Sequence, residues 1–257
     1  MVRIVSNSIL ELEMLRKNFG GVVAVSDLTL NIEKGSITSL IGPNGAGKTT
    51  IFNLVTGFLP STSGHMRFAG RVINQMKPYT IASIGIGRTF QNVQIFPKMS
   101  VIENIMVGRH LRSRAGILYS CVVPPFLRKE EKRIQDAAEE QLHFLNLAQH
   151  AHALAGSLPL GNQRMLEIAR ALALEPKLLL LDEPASGLNA RETIAMGELI
   201  GKIKQMNITV LLVEHDMELV MDISDYVAVI NFGRLIAEGA PAEIQENKDV
   251  ITAYLGE

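Results

Sequence analysis

A chain of 257 residues, 47% of them hydrophobic, has enough apolar material for the core of one large domain or two small ones, so disorder is not the default reading. The formal net charge of -1 comes without a long basic or acidic run, and the electrostatic footprint of a nucleic-acid binder is therefore missing. Its single cysteine, Cys121, excludes an internal disulfide framework and a multi-cysteine zinc site, and suits a reducing compartment.

A spanning helix needs about 20 consecutive apolar residues, whereas runs such as Leu178 to Leu181 and Ile208 to Val213 are short and bounded by charge or turn residues. The opening MVRIVSNSILELEML lacks the continuous apolar stretch and small-residue cleavage site of a signal peptide. The chain is expected to stay in the cytoplasm.

In chain order, ILELEML, LTLNI, SITSLI and HMRFAG between Ile9 and Ile73 read as short strands punctuated by Gly, Asn, Asp and Lys. TTIFNLVTGF interrupts them with helical spacing that ends at Gly57. From about Ser100 to Ala155 helical signals replace strand signals, broken at Pro124 and Pro125. Between Arg128 and Leu147, Ile134, Ala137, Ala138, Gln141, Leu142 and Leu145 recur on one face of an amphipathic helix. NQRMLEIARALALE reads as a further helix running to Pro176. KLLLLD, ETIAMGELIGKIKQM, ITVLLVE, MELVMDIS and YVAVINF then alternate strand and helix, which predicts a mostly parallel sheet covered by helices.

The strongest chemical signal is Gly42-Pro43-Asn44-Gly45-Ala46-Gly47-Lys48-Thr49-Thr50, which fits the phosphate-binding pattern G-x-x-x-x-G-K-[ST] at every fixed position. A strand precedes it and a helix follows. The backbone must curl around phosphate with unusual dihedrals, so glycines are needed. The helix start supplies amides and a positive dipole end for the anion. Lys48 is then expected to reach the β and γ phosphates of ATP or GTP, and the Thr49 hydroxyl to coordinate Mg²⁺.

Downstream, the apolar run Leu178 to Leu181 ends in Asp182-Glu183-Pro184. Ligands of open parallel sheets bind at the carboxyl ends of strands, so adjacent acids there face the nucleotide. Mg²⁺ prefers oxygen ligands and keeps several waters, a need that Asp182 beside Thr49 meets. Glu183 is left to polarise the attacking water as general base.

In this order and spacing the residues resemble the ABC ATPases over the whole chain. The resemblance implies an α/β P-loop NTPase with a mostly parallel core sheet, an antiparallel β arm and a helical subdomain. The core and arm would occupy about 1–90 and 160–257, and the helical subdomain about 91–159. Gln91 in GRTFQNVQIF matches the family's glutamine loop, which implies contact with Mg²⁺ or water and sensing of the membrane subunit. His215 in TVLLVEHDM matches the histidine that hydrogen-bonds the γ phosphate. Phe19 in RKNFGG matches the aromatic that stacks on adenine, with Val25 near enough to pad the base.

Two positions depart from the family pattern. Where its signature reads Leu-Ser-Gly-Gly-Gln, this chain has Leu158-Pro159-Leu160-Gly161-Asn162, retaining only Leu158 and Gly161. The family uses this segment in trans, over the γ phosphate held by a second subunit, and Pro159 has no hydroxyl to donate. In the loop after the catalytic glutamate, where the family usually has Asp, Asn189 keeps the shape and drops the charge.

A finer resemblance, to the ATP-binding subunits of branched-chain amino acid importers, rests on KNFGGVVAVSDL, GIGRTFQNVQIFPKMSVIENIMVG, DEPASGLN, VEHDMELVM and the tail EGAPAEIQENKDVITAYLGE. It implies ATP and Mg²⁺ as cofactors, membrane permease subunits and a second ATP-binding subunit as partners, a heterodimer being favoured, and an indirect link to a solute-binding protein. The chain would lie peripherally on the cytoplasmic face of the membrane. Importers of amides or urea are the alternative, together with non-transport ABC ATPases. The stretch 92–157 is too short for the coiled coil of a DNA-repair ABC ATPase. Only one P-loop is present, where translation-factor relatives usually carry two. Asn247-Lys248-Asp249 lacks the Asn-Lys-x-Asp spacing of a guanine reader. His150 and His152 fall in a polar connection without an HExxH pattern, which argues against a transition-metal site.

Overall fold

The computed structural model describes residues 7–109 and 125–255; Cys121 and Pro124 lie outside them. Strands β1 (Ser8–Phe19) and β2 (Val22–Glu33) form an antiparallel hairpin. β4 (Ser63–Phe68) pairs with the other edge of β1, and β5 (Arg71–Val72) completes a four-stranded arm in the order β2-β1-β4-β5. The second sheet is built from β3 (Ile37–Ile41), β6 (Ile86–Arg88), β7 (Leu178–Asp182), β8 (Thr209–Val213), β9 (Tyr226–Asn231) and β10 (Arg234–Gly239). Its order is β10-β9-β3-β8-β7-β6, parallel throughout except where β10 folds back on β9. Every residue of β3, β7 and β8 is buried. A parallel sheet covered on both faces demands such continuous apolar runs rather than alternation.

The helices are α1 (Lys48–Val55), α2 (Pro78–Ser83), α3 (Val101–Arg109), α4 (Pro125–Phe144), α5 (Leu160–Leu172), α6 (Ala190–Gln205), α7 (Met217–Ile223), α8 (Pro241–Gln245) and α9 (Lys248–Leu255). On α4 and just beyond it, Ile134, Ala138, Leu142 and Leu145 are buried while Ala137 and Gln141 are half-buried, which is the apolar face read from the sequence. One hydrophobic cluster joins Ala138 and Leu142 of α4, Val101 and Ile105 of α3, and Leu166 and Ile168 of α5 to Leu179 and Leu181 of β7. The helical segment therefore packs on the sheet through a shared core.

Three differences from the sequence reading matter for the site. α5 stops at Leu172, short of Glu175, which takes a left-handed φ of 48° that a continuing helix forbids. β6 was not foreseen, because a three-residue Ile-Gly-Arg strand shows no periodicity; its pairing with β7 delivers the following Gln91 to the sheet's carboxyl edge. The chain after β9 adds β10, α8 and α9, which the strand and helix signals did not separate. Among the described residues, no helix is long and apolar enough to cross a membrane.

Candidate active site

The residues 42–47 connect the buried end of β3 to α1. Gly42 has φ 152°, and a Cβ there would stand 2.0 Å from the Ile230 carbonyl oxygen. Gly47, at φ 105°, would place one 2.5 Å from the Ala24 oxygen. Both the left-handed backbone and the close approach of neighbouring main chain thus exclude side chains at these two positions. Pro43, Asn44, Gly45 and Ala46 complete the curl, closed by the Ala46 amide donating to the Pro43 oxygen at 3.1 Å. Within it the Lys48 ammonium donates to the Gly42 oxygen at 2.6 Å and the Pro43 oxygen at 3.1 Å. Burial lowers the Lys48 pKa, opposed by the charges of Glu183 and Asp182. Thr49 is exposed and Thr50 half-buried on the first turn of α1.

Asp182 ends β7, is buried, and accepts a 3.0 Å hydrogen bond on Oδ2 from Arg88 Nη2. Burial pushes its carboxyl up, against the pull of Arg88. The Arg88 guanidinium also donates to Asn53 Oδ1 at 2.7 Å and Thr56 Oγ1 at 3.1 Å, and lies over the rings of Phe52, Phe58 and Phe90. It fixes one oxygen of Asp182 and leaves the other for a ligand.

Glu183 adopts φ 50°, a left-handed conformation uncommon for a residue with a side chain. Its amide is tied to the Val213 oxygen at 2.8 Å, and its own carbonyl accepts from the Ser186 amide at 3.1 Å. Such local strain persists only where the surroundings fix it, and here it turns the carboxylate out of the sheet edge. Gln91 Nε2 donates to Glu183 Oε2 at 2.9 Å, and His215 Nε2 donates to Oε1 at 2.8 Å. Three residues read separately from the sequence, following β6, β7 and β8, therefore converge on one carboxylate.

Phe19 ends β1, 46% exposed, with the Lys17 ammonium 4.9 Å from its ring centroid. Close by, β2 passes the loop at Ala24. Val25, expected to pad the base, has a side chain that is 0% exposed and belongs to the hydrophobic core. Its neighbours Val22 and Val23 are exposed. Leu158 is likewise buried in the core and anchors its segment. Pro159 is the N-cap of α5 and makes no side-chain capping bond. Gly161 and Asn162 follow half-buried on its first turn, where a Cβ on Gly161 would meet Glu192 Oε1 at 3.0 Å.

Two groups escaped the sequence reading. Asn189, read there as keeping the shape of the loop without its charge, caps α6: its Oδ1 accepts from the Glu192 amide at 3.1 Å, while Glu192 Oε2 accepts from the Asn189 amide at 3.0 Å. The Asn-x-x-Glu spacing was the available signal. Glu214 is buried beside the site and accepts from the amides of Ala185 at 2.7 Å and His215 at 2.9 Å. Burial pushes its carboxyl up, and its signal was a lone charge at the end of an apolar strand.

A parallel sheet whose carboxyl edge carries a glycine-rich loop, a lysine held inside that loop and an acid pair on a neighbouring strand defines a P-loop nucleoside triphosphatase. A family model described as ABC transporter matches residues 25–186, and one described as branched-chain amino acid ATP-binding cassette transporter matches residues 234–257. Over 253 residues the chain is 46% identical to the high-affinity branched-chain amino acid transport ATP-binding protein BraF of Pseudomonas aeruginosa, covering 98% of this chain and 99% of that one. The corresponding LivG protein of Escherichia coli is 43% identical over 253 residues, with the same 98% and 99% coverage. Among solved structures, a nucleotide-free ATP-binding cassette from an ABC transporter superposes with a TM-score of 0.85 at 32% identity, covering 97% of this chain and 100% of that one. A cassette in its ADP conformation gives a TM-score of 0.84 at 32% identity, with 97% and 99% covered. The chain belongs to the ATP-binding subunits of ABC transporters, and it is an ATPase.

Proposed function

We propose that this chain hydrolyses ATP to drive import of branched-chain amino acids through separate membrane subunits, bound to them at the cytoplasmic face of the membrane. The observation that carries the solute class is the match of residues 234–257 to the branched-chain amino acid cassette model. An ATPase subunit reads no solute itself, so the test is made in cells. Deleting the gene should abolish uptake of labelled leucine, isoleucine and valine while uptake of urea and acetamide continues. The reverse pattern would assign the chain to an amide or urea importer.

In the reaction, Glu183 takes a proton from water as the water oxygen bonds to the γ phosphorus and the bond to the β-phosphate bridging oxygen breaks, giving ADP and phosphate. Lys48 and the amides at the start of α1 hold the β and γ phosphates, His215 the γ phosphate, and Phe19 the adenine face. Gln91 reports to the membrane subunits. The oxygens available for a cation are the exposed Thr49 hydroxyl, the Asp182 oxygen not held by Arg88, and the Gln91 amide oxygen. This sparse, all-oxygen set suits Mg²⁺, which keeps waters and takes phosphate oxygens as further ligands; bound there, it would neutralise charge on the β and γ phosphates.

The segment 91–159 acts as a helical subdomain that carries 158–162 to a second ATP-binding subunit. Leu160 is 46% exposed, beside Gly187 in the loop after Glu183. Both belong to a surface that faces a second cassette. With Pro159 in place of a hydroxyl donor, this chain covers its partner's nucleotide weakly, whereas a partner with an intact signature covers this chain's own. A heterodimer keeps one complete site, and a homodimer keeps none. A hydrogen bond to a charged group contributes about 1.5–3 kcal/mol, so the Glu183→Gln chain with ATP and Mg²⁺ should stay monomeric in light scattering, and Pro159→Ser should promote dimers. Tight dimers before the change, and no gain after it, would rule this out. The permeases and a solute-binding protein complete the assembly.

A further inference from the structure

Arg164 and Glu167 stand one turn apart on α5 and are 7% and 2% exposed. Burying charge is costly unless each group is paired or hydrogen-bonded, and their hydrogen bonds all run to the main chain of two loops. Arg164 Nη1 donates to the Gln91 oxygen at 2.8 Å and the Phe90 oxygen at 3.3 Å, and Nη2 donates to the Ser186 oxygen at 3.2 Å. Glu167 Oε1 accepts from the amides of Phe90 and Gln94, each at 3.2 Å. Residues 89–100 contain no helix or strand, so the backbone on both sides of Gln91 is held from α5.

The contacts close a ring. One guanidinium joins the main chain of Gln91 to that of Ser186, three residues after Glu183, and the Gln91 and Glu183 side chains complete the circuit at 2.9 Å. A planar fork bridges two carbonyls at fixed separation, and a lysine ammonium on a flexible stem does not. α5 begins at Leu160, with Pro159 as its N-cap, inside the segment 158–162. We infer that Arg164 and Glu167 are positioning residues that clamp the Gln91 loop and the Glu183 loop to α5, so that the glutamine reaches the carboxylate only while the signature helix is docked. This rests on the proposed roles of Gln91 and Glu183. Burial pushes the Glu167 carboxyl up, opposed by its hydrogen bonds from the Gln94 and Phe90 amides.

The experiment measures ATPase kinetics and thermal unfolding of the full chain in its transporter, for Arg164→Met, Arg164→Lys, Glu167→Leu, Glu167→Gln, Gln91→Ala and the double variant Gln91→Ala with Arg164→Met. Misplacing a reacting group by about 1 Å costs on the order of 10²-fold, so Arg164→Met and Glu167→Leu should lower kcat by roughly 10-fold to 10²-fold with KM changed by less than about twofold. Glu167→Gln should restore turnover, because its amide oxygen still accepts from both backbone amides. Arg164→Lys should be partly active, and the double variant no slower than Gln91→Ala. Effects that multiply in full in the double variant, or Glu167→Gln as damaging as Glu167→Leu, would overturn the clamp. If Arg164→Met does not fold, the same cycle is run with Arg164→Lys. Normal turnover in Gln91→Ala would instead sink the underlying reading of Gln91.

Discussion

Glu183→Gln leaves ATP binding intact and lowers turnover by ~10²–10⁴-fold, the contribution of a general base. The geometry explains both halves of this result. The carboxylate hangs from a left-handed residue pinned by the Val213 and Ser186 main chain, and the amide that replaces it has the same shape. In the proposed function, nucleotide binding draws on the loop 42–47 and Lys48, which the substitution does not touch. What is lost is the second oxygen: Oε1 faces His215 and Oε2 faces Gln91, and an amide nitrogen in either place donates where acceptance is needed and has no basic lone pair for the water proton. Steady-state hydrolysis by the assembled transporter, beside nucleotide titration of the isolated chain, separates the two effects. Wild-type turnover in the variant would remove Glu183 from the role of base.

Lys48→Ala shows the opposite pattern, with nucleotide affinity lost before chemistry is reached. The ammonium is partly desolvated inside the loop and already oriented by the Gly42 and Pro43 oxygens, so little ordering remains when phosphate arrives. Hydrogen bonds to charged groups are worth about 1.5–3 kcal/mol each, and contacts to both the β and γ phosphates therefore weaken the Kd by roughly 10²–10⁴-fold. Isothermal titration with ATP reads the loss directly, and thermal unfolding checks that the loop survives. An unchanged Kd would mean that the loop amides alone carry the phosphates.

The pair of predictions separates residues by the kind of information that locates them. Lys48 follows from local rules: a strand, a run that only glycine can follow at Gly42 and Gly47, and a helix start lie within one short segment. Glu183 follows from a strand terminus, since a continuous apolar run ending in acids marks the carboxyl edge of a covered parallel sheet. The arm strands, the amphipathic face of α4 and the alternation after Pro176 are legible for the same reason: side-chain period is set by backbone geometry and needs no distant partner.

Tertiary structure alone decided the rest. Gln91, Glu183 and His215 meet because β6, β7 and β8 lie side by side in the sheet, an order that no local pattern encodes. Arg88 was invisible as a partner of Asp182, and Arg164 and Glu167 carried no separate signal within the helical run NQRMLEIARALALE. Each makes hydrogen bonds across 70 or more positions of chain, beside shorter ties from Arg88 to Asn53 and Thr56, 35 and 32 positions away, and from Arg164 to Ser186, 22 positions away. Val25 and Leu158 were assigned by position in a motif, and folding buries both, because proximity along the chain says nothing about which face of a strand or loop meets the core. The sequence by itself thus determined the glycine-rich loop and the acid pair at a strand end, through short-range conformational rules. Only the packed fold decided which side chains surround it, since those contacts are set by strand order and shared burial.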